Sequence, residues 1–221
     1  MDVSFWHDCW AEGRLGFHQS KFNRYMMRYW PRLGVPAGAQ VLVPLCGKSL
    51  DMLWLLEQGY RVTGIELSRR AIEDFFTENG LDFMIRETGN GSVYRHGRLE
   101  LLCADLFASG PRILPSVDAV YDRASLPALP GDMRRDYADL MLDCLAPGTV
   151  ILLQTPEYRQ AEMDGPPFSV PPAEVEALYG EVCTIERLHS EDSLDRHPRF
   201  RERGLTGLVD HVYRIEKKAE R

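Results

Sequence analysis

Gly47 lies in a break between two apolar runs, and Glu66 stands 19 residues later at the end of the second run. In a strand–turn–helix–strand unit, the backbone N–H groups of such a turn can hold an anionic group. An acid about 20 residues further on can accept hydrogen bonds from ribose hydroxyls. The intervening residues supply the unit. Val41, Leu42 and Val43 read as a strand buried on both faces. Pro44 to Lys48 break that strand, and Ser49 is the expected N-cap of a helix carrying Leu50, Leu53, Trp54 and Leu56 at helical spacing. Gly59 stops the helix, and Arg61 to Ile65 is the second strand.

The turn discriminates among cofactors. A dinucleotide needs G-x-G-x-x-G so that backbone can approach a pyrophosphate, but here a single glycine is flanked by Pro44, Leu45 and Lys48. A P-loop needs a glycine where Leu42 stands, although Gly47, Lys48 and Ser49 supply its end. S-adenosylmethionine carries no phosphate. It asks for donors to one carboxylate, an acid for its ribose and an apolar slot for adenine, which this turn and Glu66 can provide. The competing reading of Glu66 is a cap on the next helix, where Ser68 is the better cap.

The elements around this unit must form one α/β core. At 221 residues and 44% hydrophobic content the chain can bury that core as a single domain, residues 1–221, with a leading segment at 1–33 and the α/β core at 38–221. No run of 18 apolar residues and no basic-plus-apolar leader is present, so a cytoplasmic protein is expected. The net charge of −7 opposes binding to a phosphate backbone, so no nucleic-acid partner is expected. Five scattered cysteines without a C-x-x-C fit reduced thiols rather than disulfides or a metal site. Cys46 reads as a packed thiol within the turn.

The leading segment is aromatic-rich. Trp6 and Trp10 are four apart, hence on one face of a helix, and the segment could staple onto the sheet or close the cleft at its strand ends. Trp10 and Phe17 are its candidate ligand contacts. Beyond Glu66, a helix is expected over Arg69 to Glu78 with Ala71, Ile72, Phe75 and Phe76 inward. Leu99 to Cys103 is the third strand; Asp105, with Leu106 beside it, follows its end, where it can reach an adenine amino group or cap the next segment. Val117 to Tyr121 is the fourth strand and runs into Asp122 and Arg123, a pair that is either structural or places a guanidinium in the crevice. Pro130-Gly131-Asp132 opens a helix ending at Ala146-Pro147-Gly148, and a fifth strand spans Thr149 to Leu153. Tyr158 to Ser169 suits a mobile substrate-side flap. A helix to Tyr179 follows, then strands over Val182 to Leu188 and Leu205 to Ile215 joined by a charged loop.

The segments FWHDCWAEGRLGFHQ, VLVPLCGKSLDMLWL, VTGIELS, YDRASLPALP, RRDYADLM and GPPFSVPPAEVEALYG span most of the chain. In combination they resemble bacterial thiopurine S-methyltransferases, within the class I S-adenosylmethionine-dependent methyltransferases. The resemblance implies a Rossmann-like, mostly parallel seven-stranded sheet with helices on both faces and an N-terminal lid. It also implies S-methylation of small aromatic thiols, with selenium and tellurium compounds in detoxification as further acceptors. Trp10, Leu45, Gly47, Glu66, Asp105, Leu106 and Arg123 would then face the cofactor, Phe17 and Arg196 the acceptor, and Arg123 would serve catalysis. S-adenosylhomocysteine would be the product and a monomer the expected state. The alternatives are an O- or N-methyltransferase of the same fold, or a binding module that lost its acceptor pocket.

Overall fold

The computed structural model describes residues 3–14, 18–89, 91–110 and 113–219. The chain divides into two compact units, Met1–Tyr121 and Asp122–Arg221.

In the first unit, α1 (Val3–Ala11) and α2 (Arg24–Tyr29) precede β1 (Gln40–Val43), α3 (Asp51–Glu57) and β2 (Arg61–Glu66). Next come α4 (Arg69–Glu78), β3 (Met84–Thr88), β4 (Gly91–His96), β5 (Leu99–Cys103), α5 (Leu106–Ser109) and β6 (Ala119–Asp122). The strand order is β3-β4-β5-β2-β1-β6. β1 pairs in parallel with β2 and β6, and β2 with β5, so Glu66 lies opposite Cys103. Val41, Leu42, Val62, Ile65, Leu101 and Val120 are fully buried there, as near-continuous apolar strands require. Gly64 makes room on β2: a Cβ would meet Leu101 at 2.6 Å, Cys46 at 2.7 Å and Met52 of α3 at 3.2 Å.

The helix over Arg69 to Glu78 forms as expected, with Ala71, Ile72, Phe75 and Phe76 buried and Ser68 accepting the Ala71 N–H. The helix after the turn starts one residue later than the Ser49 cap implied. Leu50 is its N-cap position, and Ser49 Oγ instead accepts the Asp51 N–H.

In the second unit, α6 (Ser125–Ala128) and α7 (Gly131–Cys144) lead to β7 (Val150–Glu157), α8 (Pro172–Tyr179), β8 (Cys183–Asp192), α9 (Pro198–Glu202) and β9 (Val209–Lys217). β9 pairs antiparallel with both β7 and β8. Arg134 of α7, 5% exposed, forms an ion pair with Glu174 of α8 at 2.7 Å. Lys217 Nζ donates to Leu142 O and Leu145 O, satisfying carbonyls at the end of α7.

Nine strands occur among the described residues, where seven were expected, and the sheet is mixed, its parallel part centred on β1 and β2. The two strands beyond those seven are β3 and β4, which pair with each other; all five residues of β3 are exposed, so pairing rather than burial makes it a strand. The segment after β7 is also less free than a mobile flap. Tyr158 Oη donates to Pro167 O at 2.6 Å, and Gln160 Oε1 accepts the Ser169 N–H at 3.0 Å. Tyr158 and Met163 are buried with Leu194, Leu205 and Leu208 in a small core of their own. No helix among the described residues is long and apolar enough to cross a membrane.

Candidate active site

The turn between β1 and α3 is braced by Glu66. One carboxylate oxygen accepts the Gly47 N–H at 2.8 Å and the other accepts the Ser68 N–H at 2.7 Å. The side chain is 7% exposed. Glu66 therefore ties the turn after β1 to the turn after β2, the two places where a parallel sheet opens its strand ends to a ligand. Its neighbours continue the tie, since Cys46 N donates to Ile65 O and Ala104 N to Glu66 O, both at 3.0 Å. Burial raises the Glu66 carboxyl from its ordinary value, and the N–H bonds from Ser68, Gly47 and Leu67 oppose that rise. The two carboxylate oxygens together have about four lone-pair sites, so these three N–H groups leave capacity for a further donor.

Backbone conformation shows why the turn reads as it does. Gly47 has φ +52°, and Leu45 has φ +45° although it carries a side chain. A non-glycine residue in that region costs roughly 1–2 kcal/mol, a strain that persists where surrounding structure over-determines it. Above Gly47 lies Trp10, 3% exposed, whose ring edge would stand 3.3 Å from a Cβ on that glycine. The helix bearing it is held at its end by Arg70 of α4, which donates to Ala11 O at 3.3 Å. Trp10, Leu45, Gly47 and Glu66 thus come together in one place. Cys46 is fully packed, and burial first, with the Glu66 charge second, holds its thiol well above the ordinary range. It is a neutral, inert thiol.

Other residues take more local positions. Asp105 caps α5, accepting the Phe107 and Ala108 N–H groups at 2.9 and 3.2 Å, and Leu106 is 2% exposed. The capping reading of Asp105 is the one the hydrogen bonds display. Arg123 follows β6 directly and is half-buried. Arg196, in a short 3-10 turn, donates to Glu191 at 2.8 Å and lies 3.8 Å from Asp210. Phe17 lies outside the described residues.

Asp51 is a functional candidate that sequence reasoning passed over. It is 2% exposed and accepts the Asn23 N–H at 2.7 Å and the Tyr121 hydroxyl at 2.8 Å. Asn23 in turn caps α2 through the Tyr25 and Met26 N–H groups. One carboxylate at the start of α3 thereby ties the residue that caps α2 to the last residue of the first unit. An aspartate among the apolar residues of SLDMLWL carried the signal, because a charge there must find partners if it is buried.

With this geometry in hand, the relatives of the chain become informative. The family model described as thiopurine S-methyltransferase matches residues 1–218. A thiopurine S-methyltransferase from Bordetella parapertussis is 49% identical over 98% of this chain and 99% of its own length. One from Pseudomonas entomophila is 47% identical over 98% of this chain and 100% of its own. Among solved structures, a 1,6-didemethyltoxoflavin-N1-methyltransferase from Burkholderia thailandensis, crystallised with S-adenosylhomocysteine, superposes with a TM-score of 0.64 at 18% identity. It covers 98% of this chain and 87% of that one. The N-methyltransferase NodS from Bradyrhizobium japonicum, also with S-adenosylhomocysteine, gives 0.59 at 16% identity over 89% and 87% of the two chains. Such likeness shows the class I methyltransferase fold.

Proposed function

The chain belongs to the thiopurine S-methyltransferase family, and from that premise we propose that it methylates small aromatic or heterocyclic thiols, thiopurines among them. It is an S-adenosylmethionine-dependent methyltransferase. The proposal extends to small selenium and tellurium compounds, whose nucleophilic atoms are similarly soft. It further takes residues 1–221 as one working methyltransferase domain, a cytoplasmic monomer without a nucleic-acid partner. The net charge of −7 supports the last point.

The observation that carries the reading is the brace of Glu66 across Gly47 and Ser68 beneath Trp10. These residues fit the cofactor: a glycine without a side chain for close approach, a carboxylate with spare acceptor capacity for ribose hydroxyls, and an aromatic ring edge beside them. Leu45 adds its backbone, and Asp105 and Leu106 lie after β5 on the side of adenine. When bound, S-adenosylmethionine supplies a methyl group already activated on a sulfonium, which an acceptor sulfur takes in one displacement, leaving S-adenosylhomocysteine. The protein's task is therefore alignment and exclusion of water. Arg123 stabilises the acceptor as a thiolate, so its proton leaves to solvent before transfer and no dedicated base is needed. Phe17 and Arg196 serve the acceptor side, with Arg196 oriented by Glu191 and Asp210.

The test is transfer of a labelled methyl group from S-adenosylmethionine to 6-mercaptopurine by the purified protein. Methylated product supports the reading. Tight donor binding without product would move the acceptor to oxygen, nitrogen or another chalcogen.

A pH dependence follows from Glu66. Its carboxyl is raised by burial, so the folded protein holds that proton more tightly than the unfolded chain does. The ionised side chain thus detracts from stability, and Glu66's contribution declines as pH rises from the unfolded value through the folded one. Ribose hydroxyls donate to the ionised form and pull the value down again. S-adenosylhomocysteine should therefore bind with release of a proton, and its affinity should fall as pH drops through the raised value. Titration calorimetry in buffers of different ionisation enthalpy checks this, and Glu66→Gln should flatten the dependence.

A further inference from the structure

The segment leaving β6 carries Arg123, and α7 fixes it in place. Asp122, 2% exposed, accepts the Tyr137 hydroxyl at 2.6 Å on one oxygen and the Ser125 N–H at 3.3 Å on the other. Tyr137 and Ser125 are both fully buried. Three residues earlier on α7, Arg134 Nε donates to Leu129 O at 2.9 Å. Residues at i and i+3 share a helix face, so one face of α7 holds both ends of the 122–129 segment. A third anchor lies between them, where Phe168 N donates to Pro127 O at 2.7 Å. Arg123 and Ala124 are the residues enclosed by the Asp122–Ser125 bond.

A buried carboxylate and phenol are a costly way to join a strand to a helix. A well-packed apolar pair of similar volume would hold them at least as firmly. What the polar pair adds is direction: a short hydrogen bond fixes the carboxylate plane, and the second oxygen then fixes the backbone of the turn. Burial raises the Asp122 carboxyl, and the bonds from Tyr137 and Ser125 oppose it. We infer that Tyr137, acting through Asp122, is a positioning residue that sets the placement of Arg123 for methyl transfer. The inference rests on the reading of Arg123 given above. It adds a residue on α7 whose side chain serves the reaction through the backbone it aligns.

The experiment compares Tyr137→Phe, Arg123→Ala and the double variant, with 6-mercaptopurine as acceptor and kcat normalised to the S-adenosylhomocysteine-binding fraction. Tyr137→Phe keeps the ring, so the core stays filled, and a Tm measurement reports any loss of fold. The expected result is a kcat about tenfold lower, KM for S-adenosylmethionine within about twofold of the unaltered protein, and a double variant no slower than Arg123→Ala alone. A purely packing role would make the two effects multiply. Unchanged kcat in Tyr137→Phe, or multiplying effects, overturns the positioning role while leaving Arg123 in place. An Arg123→Ala variant as fast as the unaltered protein, or no transfer at all, overturns the Arg123 reading and the inference with it.

Discussion

Glu66→Ala is expected to weaken S-adenosylhomocysteine binding by about a hundredfold. The substitution orphans two N–H donors, Gly47 at 2.8 Å and Ser68 at 2.7 Å, in a place that is 7% exposed. Hydrogen bonds to a charged group are worth about 1.5–3 kcal/mol each, and an unsatisfied buried donor costs a similar amount. Part of that loss falls on stability and part on binding, through a turn that relaxes and through ribose hydroxyls that lose their acceptor. Titration calorimetry reads the second part, and a Tm shift reads the first. Glu66→Gln separates them further, because it keeps one acceptor for the turn and presents an amide N–H group where a second acceptor is required. Unchanged affinity in both variants would remove Glu66 from the binding site and leave it a brace alone.

Arg123→Ala carries the second large effect, a fall in kcat of about a hundredfold with little change in S-adenosylhomocysteine affinity. Removing one preorganised charge from the place where an anion must be stabilised costs about 10²–10³ in rate in comparable sites. Lysine is not expected to restore the rate, because a point charge on a flexible stem does not reproduce a planar guanidinium. The pH profile supplies the sharper check. Without the cation, the acceptor thiol ionises at a higher pH, so the rising limb of kcat/KM should move upward and the rate should recover partly in alkaline buffer. A uniform drop at every pH would indicate that Arg123 aligns the reactants rather than stabilising a thiolate.

The Gly47–Glu66 pair was legible in the sequence because both its cause and its spacing are local: strand, turn, helix and strand fix the distance between them. Trp10 was legible for the same reason, as a helical neighbour of Trp6. The residues that hold these groups were not. Asp51, Arg134 and Tyr137 sit in helices, and their importance comes from partners 28 to 70 residues away for Asp51, 5 to 40 for Arg134 and 15 for Tyr137. The buried residues of α7 are Arg134, Tyr137, Ala138, Met141 and Leu142. A buried arginine with a carboxylate partner violates the apolar pattern that such a reading depends on. β3 escaped for the opposite reason, since an exposed strand has no buried face to impose alternation.

The contact between Trp10 and Gly47 bears on timing. A ring edge that would lie 3.3 Å from a Cβ at the turn belongs to α1, a helix of nine residues held by Arg70 and by packing against α4. A molecule that approaches the Gly47 backbone from that side meets the ring edge, so its entry and exit are expected to depend on the position of α1. Residence time at the turn is then expected to depend on how firmly α1 docks as well as on the bonds made to the ligand itself. A weakened dock is then expected to trade slow release for loose retention.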